Sequence, residues 1–196
     1  DLYRPYRPKR RTRATIAKEK GLEPLAALLM LQKIQKPLEE EAQKYISAEK
    51  EVHTVEEAIA GAKDILAETV SDEADYRSFI RNLTVKEGKM TSSAKDDSVQ
   101  SVYEMYYSFE EPVSRLAGHR ILALNRGEKE KILNVKIEAP EEKILRYLEK
   151  KIIVSENPYT SEYLKEVAED SYKRLIAPAI EREIRGSLTE KAEDSA

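Results

Sequence analysis

The residues of this sequence best suited to binding chemistry are cations within its first twenty positions. Seven of them form a candidate phosphate-binding set: Arg4, Arg7, Lys9, Arg10, Arg11, Arg13 and Lys18. Guanidinium and ammonium groups match phosphate oxygens, and each phosphate that they neutralise releases condensed counterions. Tyr3 and Tyr6 stand between these cations and could stack on exposed bases. The pattern predicts a weak, sequence-independent contact with nucleic acid.

The basic arm, residues 1–20, differs in charge from the rest of the chain. It carries eight basic and two acidic residues, whereas the remainder carries 26 basic and 35 acidic residues. An acidic body repels phosphate at long range, so a nucleic-acid contact must be local to basic faces. In the alternative interpretation, the arginines pair with glutamate-rich helices of the same chain and pin the arm to the body. The sequence leaves both interpretations open.

Residue types that serve catalysis or metal binding are scarce. The chain has no cysteine and only two histidines, His53 and His119, which excludes thiolate sites and multi-histidine metal sites. Paired carboxylates are numerous, but none lies in a constellation that supports acid–base chemistry, and no phosphate-binding loop, dinucleotide fingerprint or EF-hand spacing occurs. We therefore expect no enzymatic activity, no cofactor and no metal. A hydrolase acting through His119 is the disfavoured alternative.

The stretch from His119 to Glu130 also combines groups that could contact phosphate. Arg120 and Arg126 accompany the histidine, but a lone histidine without a nucleophile is more often a structural hydrogen-bonding residue. Glu128 and Glu130 beside Arg126 indicate a turn held by ion pairs. We therefore predict a structural role for this stretch.

The aromatic residues are concentrated in one stretch, at Tyr103, Tyr106, Tyr107 and Phe109. Their helical spacing favours a buried helix–helix interface over a platform for stacking bases.

Capping signals and apolar periodicity predict eight or nine helices. Thr12 and Gly21 bound a short helix, and Thr54 with Glu57 forms a capping box before a stretch whose apolar residues share one face. Ser71 is predicted to cap the helix that follows. Residues 86–98 are polar and predict a loop. Residues 119–137 fit either a hairpin or, as we favour, a helix ended by Gly127 and followed by a short strand.

The end of the chain predicts one long helix with an apolar seam from Leu164 to Leu188. Pro178 should kink it, because proline lacks the N–H that would bond to Arg174. Ion pairs of Glu181 with Arg185, and of Glu166 with Arg174, would lie along its solvated face.

The predicted fold is mainly α: a multi-helix bundle or scaffold with a long kinked C-terminal helix and at most one short pair of β-strands. We divide the chain into a basic arm and short helix over 1–20, a helical core over 21–155 and a long helix over 156–196. No apolar run approaches a membrane span, and no signal peptide is evident, so a cytoplasmic protein is expected. Because the chain starts at Asp1 and ends inside a helical pattern, we expect a piece of a longer protein whose further domains lie downstream.

Four blocks, in this order, resemble one known family. They are YRPKRRTRATIAKEKGLEPLA, EEAIAGAKDILAE, EEPV with HRILALNRGEKE, and YKRLIAPAIEREIR. Together they are similar to the central helical region of the bacterial transcription accessory protein Tex, and the resemblance covers essentially the whole chain. One departure is Ala117-Gly118, where the family pattern has a proline–serine pair; losing that serine weakens the cap of the helix that begins near His119.

The resemblance implies a modular protein whose missing parts include a nuclease-like domain and an OB-fold RNA-binding domain. This chain would then be a non-catalytic helical scaffold of a transcription-associated, nucleic-acid-binding protein. RNA or DNA would be bound mostly by the missing domains, with the transcription machinery as a further partner and no membrane or small-molecule substrate. The family has no catalytic residue in this region. The alternative is a protein–protein or interdomain docking module without nucleic-acid contact of its own.

Overall fold

The structure, a computed structural model, describes residues 11–196. Over this range the α-helical segments are α1 (Arg13–Glu19), α2 (Glu23–Leu31), α3 (Leu38–Ala42), α4 (Val55–Ser71), α5 (Ala74–Glu87), α6 (Gly118–Lys129), α7 (Glu141–Ile152), α8 (Ser161–Asp170) and α9 (Ala177–Ser195). The strands are β1 (Lys89–Ala94), β2 (Ser108–Pro112) and β3 (Leu133–Glu138), and short 3-10 turns occupy Gln43–Tyr45, Glu104–Tyr106 and Val113–Arg115. The fold is mainly α, as predicted.

The long helix α4 begins at the predicted capping box. Thr54 Oγ1 accepts a hydrogen bond from Glu57 N at 3.0 Å, and Glu57 Oε2 accepts one from Thr54 N at 2.9 Å. These bonds satisfy N–H groups that have no partner inside the helix. The cap predicted at Ser71 is wrong: its hydroxyl donates to Glu68 O and closes α4, and the next helix begins at Ala74.

The chain divides into two compact units, and each unit contains two separate stretches. The first unit comprises residues 11–72 and Tyr147–Leu175, and the second comprises Glu73–Arg146 and Ile176–Ala196. The division into 1–20, 21–155 and 156–196 rests on composition rather than on contacts, and it stays a prediction.

In the first unit, α4 is the central helix and contacts α1, α2, α3 and α8. Small residues let α1 approach it closely: Gly61 of α4 faces Ala17, and a Cβ at this glycine would lie 2.3 Å from Leu22 Cδ1. Leu22, Leu25 and Leu164 are fully buried around this helix. The buried apolar area is the main source of stability for the unit.

The second unit contains a three-stranded antiparallel sheet in the order β2–β1–β3. The prediction of at most one strand pair is therefore wrong by one strand, and the predicted loop 86–98 contains the central strand β1. Met90 and Ser92 of β1 face the core, where the serine hydroxyl donates to Tyr106 O at 2.6 Å. Because only one of the two inward residues is apolar, β1 has no strand pattern that could be recognised in the sequence.

The aromatic residues lie in the core of this sheet rather than in a helix–helix interface. Tyr103 and Tyr106 are 4% exposed and pack with Met90 and Leu133, and the Tyr106 ring meets Phe109 edge-to-face with centroids 5.2 Å apart. The prediction of a buried role is confirmed, but these residues belong to a turn and to β2, not to a helix.

The ambiguous stretch 119–137 is a helix followed by a strand, as favoured. Gly127 does not end the helix, because α6 continues to Lys129, and the left-handed residue is Lys131 with φ of 63°. No side chain caps α6 at its N-cap residue Ala117. The family's serine would stand at position 118, which is the first residue of the helix, so its predicted capping role is not confirmed.

The C-terminal helix is continuous, since a π-helical segment, Ser171–Ile176, joins α8 to α9. This segment ends two residues before Pro178, and the kink predicted at this proline stays a prediction. Within residues 11–196, no helix combines the length and the apolar character that crossing a membrane requires.

Candidate nucleic-acid interface

Three of the seven predicted phosphate-binding residues lie in the described part of the chain. Arg11 precedes α1, whereas Arg13 and Lys18 are part of it. The other four, Arg4, Arg7, Lys9 and Arg10, lie outside the described residues.

The helix that carries these cations is fixed at both ends. Thr12 Oγ1 accepts from Thr15 N at 3.1 Å, and Thr15 Oγ1 accepts from Thr12 N at 2.7 Å, which completes a capping box. The Thr12 hydroxyl also donates to Glu68 Oε2 of α4 at 2.8 Å. After α1 ends, Gly21 adopts the left-handed conformation with φ of 77°, as its position predicted. The hydrogen bond from Thr12 to Glu68 therefore connects the start of α1 to α4 within the first unit.

Arg11 pairs with a carboxylate of the basic arm itself. Its Nη2 lies 2.6 Å from Glu19 Oε2, and the two side chains are 66% and 60% exposed. An ion pair this exposed is worth roughly 0–1 kcal/mol, because water and salt screen both charges. This contact does not pin the arm to the acidic body, and it leaves the guanidinium accessible to a phosphate.

Arg13 and Lys18 are exposed on α1. Neither has a carboxylate within 4.0 Å among residues 11–196. With Arg11 they make three exposed cations within eight positions of the chain.

A groove of 220 Å³ between α1 and α4 has charges of both signs. Arg13 and Lys20 line one side, and Glu57 and Asp64 line the other. Partial burial raises the pKa of Asp64, whereas Arg174 and Arg13 act in the opposite direction. The carboxylates oppose phosphate binding inside this groove, so we expect phosphate contact on the exposed side of α1.

The ion pairs in the stretch around His119 differ from those predicted, and its structural role stays a prediction. His119 and Arg126 are exposed, and Arg120 lies 3.7 Å from Glu111 and 5.6 Å from the Phe109 ring. Glu128 pairs with Arg185 at 2.8 Å, and Glu130 accepts from the Tyr103 hydroxyl. The prediction that Arg126 pairs with its neighbouring glutamates is wrong, because partners distant in sequence bind both carboxylates.

The ion pairs predicted along the C-terminal helix are also replaced by other contacts. Arg174 binds Asp170 at 2.8 Å instead of Glu166, and Glu166 lies 3.4 Å from Lys63 of α4. Glu181 accepts a hydrogen bond from the Ile137 backbone N–H at 3.0 Å, and Arg185 pairs with Glu128 instead of Glu181. Each of these glutamates contacts another element of its own unit.

One group of cations in the second unit was missed by the sequence analysis. Arg81 and Lys86 of α5 and Lys191 of α9 line a common groove. Lys86 and Lys191 are more than a hundred positions apart in the chain, so no basic run in the sequence could indicate this groove. Among the described residues, no group of three or more histidine or carboxylate side chains could hold a metal ion.

Comparison with known proteins places the chain in a family. Residues 33–196 match the family model described as Tex central region-like. All of the chain aligns with the YdcI protein of Bacillus subtilis at 54% identity and with the transcriptional accessory protein Tex of Neisseria gonorrhoeae at 31%. A human S1 RNA-binding domain-containing protein 1 is 30% identical over 93% of the chain. The chain spans 28%, 26% and 19% of these relatives. With the family match extending over most of its length, the chain belongs to the family of Tex central regions.

Proposed function

We propose that this chain is a non-catalytic helical scaffold region of a transcription-associated protein that binds nucleic acid. Relatives named as a transcriptional accessory protein and as an S1 RNA-binding domain-containing protein support this role. Because the chain spans about a quarter of these bacterial relatives, most of the affinity for RNA or DNA would come from other parts of the protein. We expect it to act in the cytoplasm, with the transcription machinery as a further partner.

The observation that carries a nucleic-acid contact is the exposed side of α1. Arg13 and Lys18 have no ion pair among the described residues, and the pair between Arg11 and Glu19 is highly exposed. A phosphate can displace such a pair at little cost. We propose that the basic arm adds a weak contact with the backbone of RNA or DNA that does not depend on sequence.

The second candidate function is a docking module that makes no nucleic-acid contact of its own. The contact between Arg11 and Glu19 favours this alternative, because it shows that one arm cation already has a carboxylate partner. In this case the cations would stabilise the arm rather than bind a ligand.

Salt-dependent binding separates the two candidates. We would measure binding of the chain to single-stranded RNA and to duplex DNA between about 50 and 200 mM salt. The test variant combines Arg11→Gln, Arg13→Gln and Lys18→Gln. The control combines Lys33→Gln, Lys50→Gln and Lys150→Gln, which removes three other exposed cations of the first unit and gives the same net charge.

If the arm contacts phosphate, the test variant should bind more weakly than the unaltered chain. The plot of log K against log salt should also become less steep by roughly 2–3, because each of three lost phosphate contacts contributes about 0.7–0.9 to the slope. The control should retain most of the slope. Unchanged binding together with a lower melting temperature in the test variant would instead support the docking module. Equal losses in both variants would show that only net charge matters.

A further inference from the structure

The second unit contains a groove between two helix faces, which we call the α5–α9 groove. It has a volume of 590 Å³, within the range of about 300–1,000 Å³ that ligand pockets occupy. Its apolar side chains are Val85, Val113, Leu116, Ile184 and Leu188. Val113 and Ile184 form a buried floor, and Val85 is 38% exposed at the rim. The groove therefore offers aliphatic surface to a ligand.

All charged side chains that line the groove are positive. Arg81, Lys86 and Lys191 line it together with three neutral polar residues, and no carboxylate is part of its lining. Lys86 and Lys191 are exposed and have no ion pair within 4.0 Å among residues 11–196. Arg81 Nε lies 3.9 Å from Glu183, which also binds Arg77, so its charge is only partly compensated. In a chain with a net charge of −3, this is a local positive field over an apolar surface.

The two helix walls present regular strips of side chains. On α9 the lining residues recur at intervals of three and four positions, from Ile184 through Ser187 and Leu188 to Lys191. On α5, Arg81, Val85 and the positions beside them form a matching strip. A groove between two helices with an apolar floor is a type of surface that binds an amphipathic helix.

We propose that the α5–α9 groove binds an acidic amphipathic helix of a partner protein. Aliphatic residues of this helix, spaced three and four positions apart, would contact Val85, Leu116 and Leu188, and its Asp and Glu residues would flank them opposite the three cations. Single-stranded nucleic acid fits less well, because no aromatic side chain lines the groove to stack on bases. The basic arm of this chain is excluded as the occupant by charge.

The test uses a fluorescent sixteen-residue peptide with leucine at positions spaced three and four apart and glutamate on the flanks. Its controls are a scrambled peptide of the same composition, a lysine-for-glutamate peptide and a single-stranded RNA. Binding to the chain is followed by fluorescence anisotropy. The proposal predicts that only the acidic amphipathic peptide binds strongly, since both the charge and the helical spacing are recognised.

Two pairs of variants locate the site. Lys86→Glu with Lys191→Glu should weaken peptide binding at least about tenfold, because like charges then face each other across the interface. Lys95→Glu with Lys136→Glu makes the same change in net charge elsewhere in the second unit and should weaken it less than about threefold. Val85→Asp should also abolish binding, whereas Val99→Asp, at another exposed valine, should not. Circular dichroism checks that all four variants are folded.

Equal binding of the scrambled peptide, or equal losses in the two charge-reversal variants, would overturn the proposal. Tighter binding of RNA that depends on Lys86 and Lys191 would also overturn it and would assign the groove to nucleic acid. The proposed function does not affect this test, because Arg11, Arg13 and Lys18 belong to the first unit and the groove belongs to the second.

Discussion

The buried amide of Gln32 links two stretches of the first unit that are 120 positions apart, and its replacement gives the sharpest test of the scaffold. Gln32 is 3% exposed and ends α2 in the left-handed region with φ of 58°. Its Nε2 donates to Ile152 O at 2.7 Å and to Met30 O at 3.1 Å. Its Oε1 accepts from Val154 N at 3.0 Å. One side chain therefore bonds the end of α2, the last residue of α7 and the backbone two positions beyond it.

The cost of Gln32→Ala can be worked out from these bonds. Ile152 is 2% exposed, so its carbonyl would be left buried without this partner, at about 1–3 kcal/mol. Val154 is 76% exposed and its N–H can find water, so this loss is about 0.5–1.5 kcal/mol. We expect the free energy of unfolding of the first unit to fall by about 2–4 kcal/mol.

Urea unfolding followed by far-ultraviolet circular dichroism measures this change. Gln32→Glu is the more selective variant, because a carboxylate can still accept from Val154 N but cannot donate to Ile152 O. Gln35→Ala is the control, since this neighbouring glutamine is exposed. We expect the control to lie within about 0.5 kcal/mol of the unaltered chain. A cost of Gln32→Ala no larger than that of the control, or a Gln32→Glu variant as stable as the unaltered chain, would contradict this role of the amide.

The remaining predictions concern two helical glycines and one cap. Gly127→Ala should destabilise the chain by about 1–3 kcal/mol in urea unfolding, because the new Cβ would lie 2.5 Å from Leu133 Cδ1 and 2.8 Å from Leu133 Cγ, and this leucine is fully buried. The Cβ added by Gly186→Ala would have no atom within 4 Å, so this change should stabilise α9 by about 0.5–1 kcal/mol. Equal effects of the two substitutions on stability would contradict the difference in packing between the two glycines. Hydrogen bonds from the backbone of His53 and Thr54 lower the pKa of Glu57 below 4.5, so its contribution to stability is present above pH 4.5 and is lost as the pH falls through the lowered pKa. Glu57→Gln should therefore melt at a lower temperature at pH 7, with a difference that narrows in acid; a constant difference in melting temperature would disprove this assignment.

In the described part of the candidate interface, the features that depend only on neighbouring residues could be predicted from the sequence. Thr12 as a cap and Gly21 as a left-handed end both follow from residues within one helical turn, and the structure confirms both. The partner of Arg11 was not predictable in this way. Arg11 precedes α1 and meets Glu19 eight positions later, outside the three- and four-residue spacings that govern pairs inside a helix.

The second unit shows the limit of sequence patterns most clearly. The strand β1 has serine at an inward position, where the apolar alternation of a half-buried strand is normally found. It is a strand because it pairs on both sides, with β2 and β3, and because Ser92 finds a buried hydrogen-bond partner in Tyr106 O. Neither condition is encoded within the segment itself.

The sequence by itself determined the helical character of this chain, the start of α1 and of α4, the long C-terminal helix and the concentration of positive charge at the N-terminal end. Caps and amphipathic periodicity act over a few residues, so they can be recognised without knowing the rest of the fold. Only the tertiary structure decided the three-stranded sheet, the partners of Glu128 and Glu181, and the groove that brings Lys86 beside Lys191. These features depend on pairs of residues far apart in the chain, which meet only when packing of the apolar faces fixes the positions of the helices and strands.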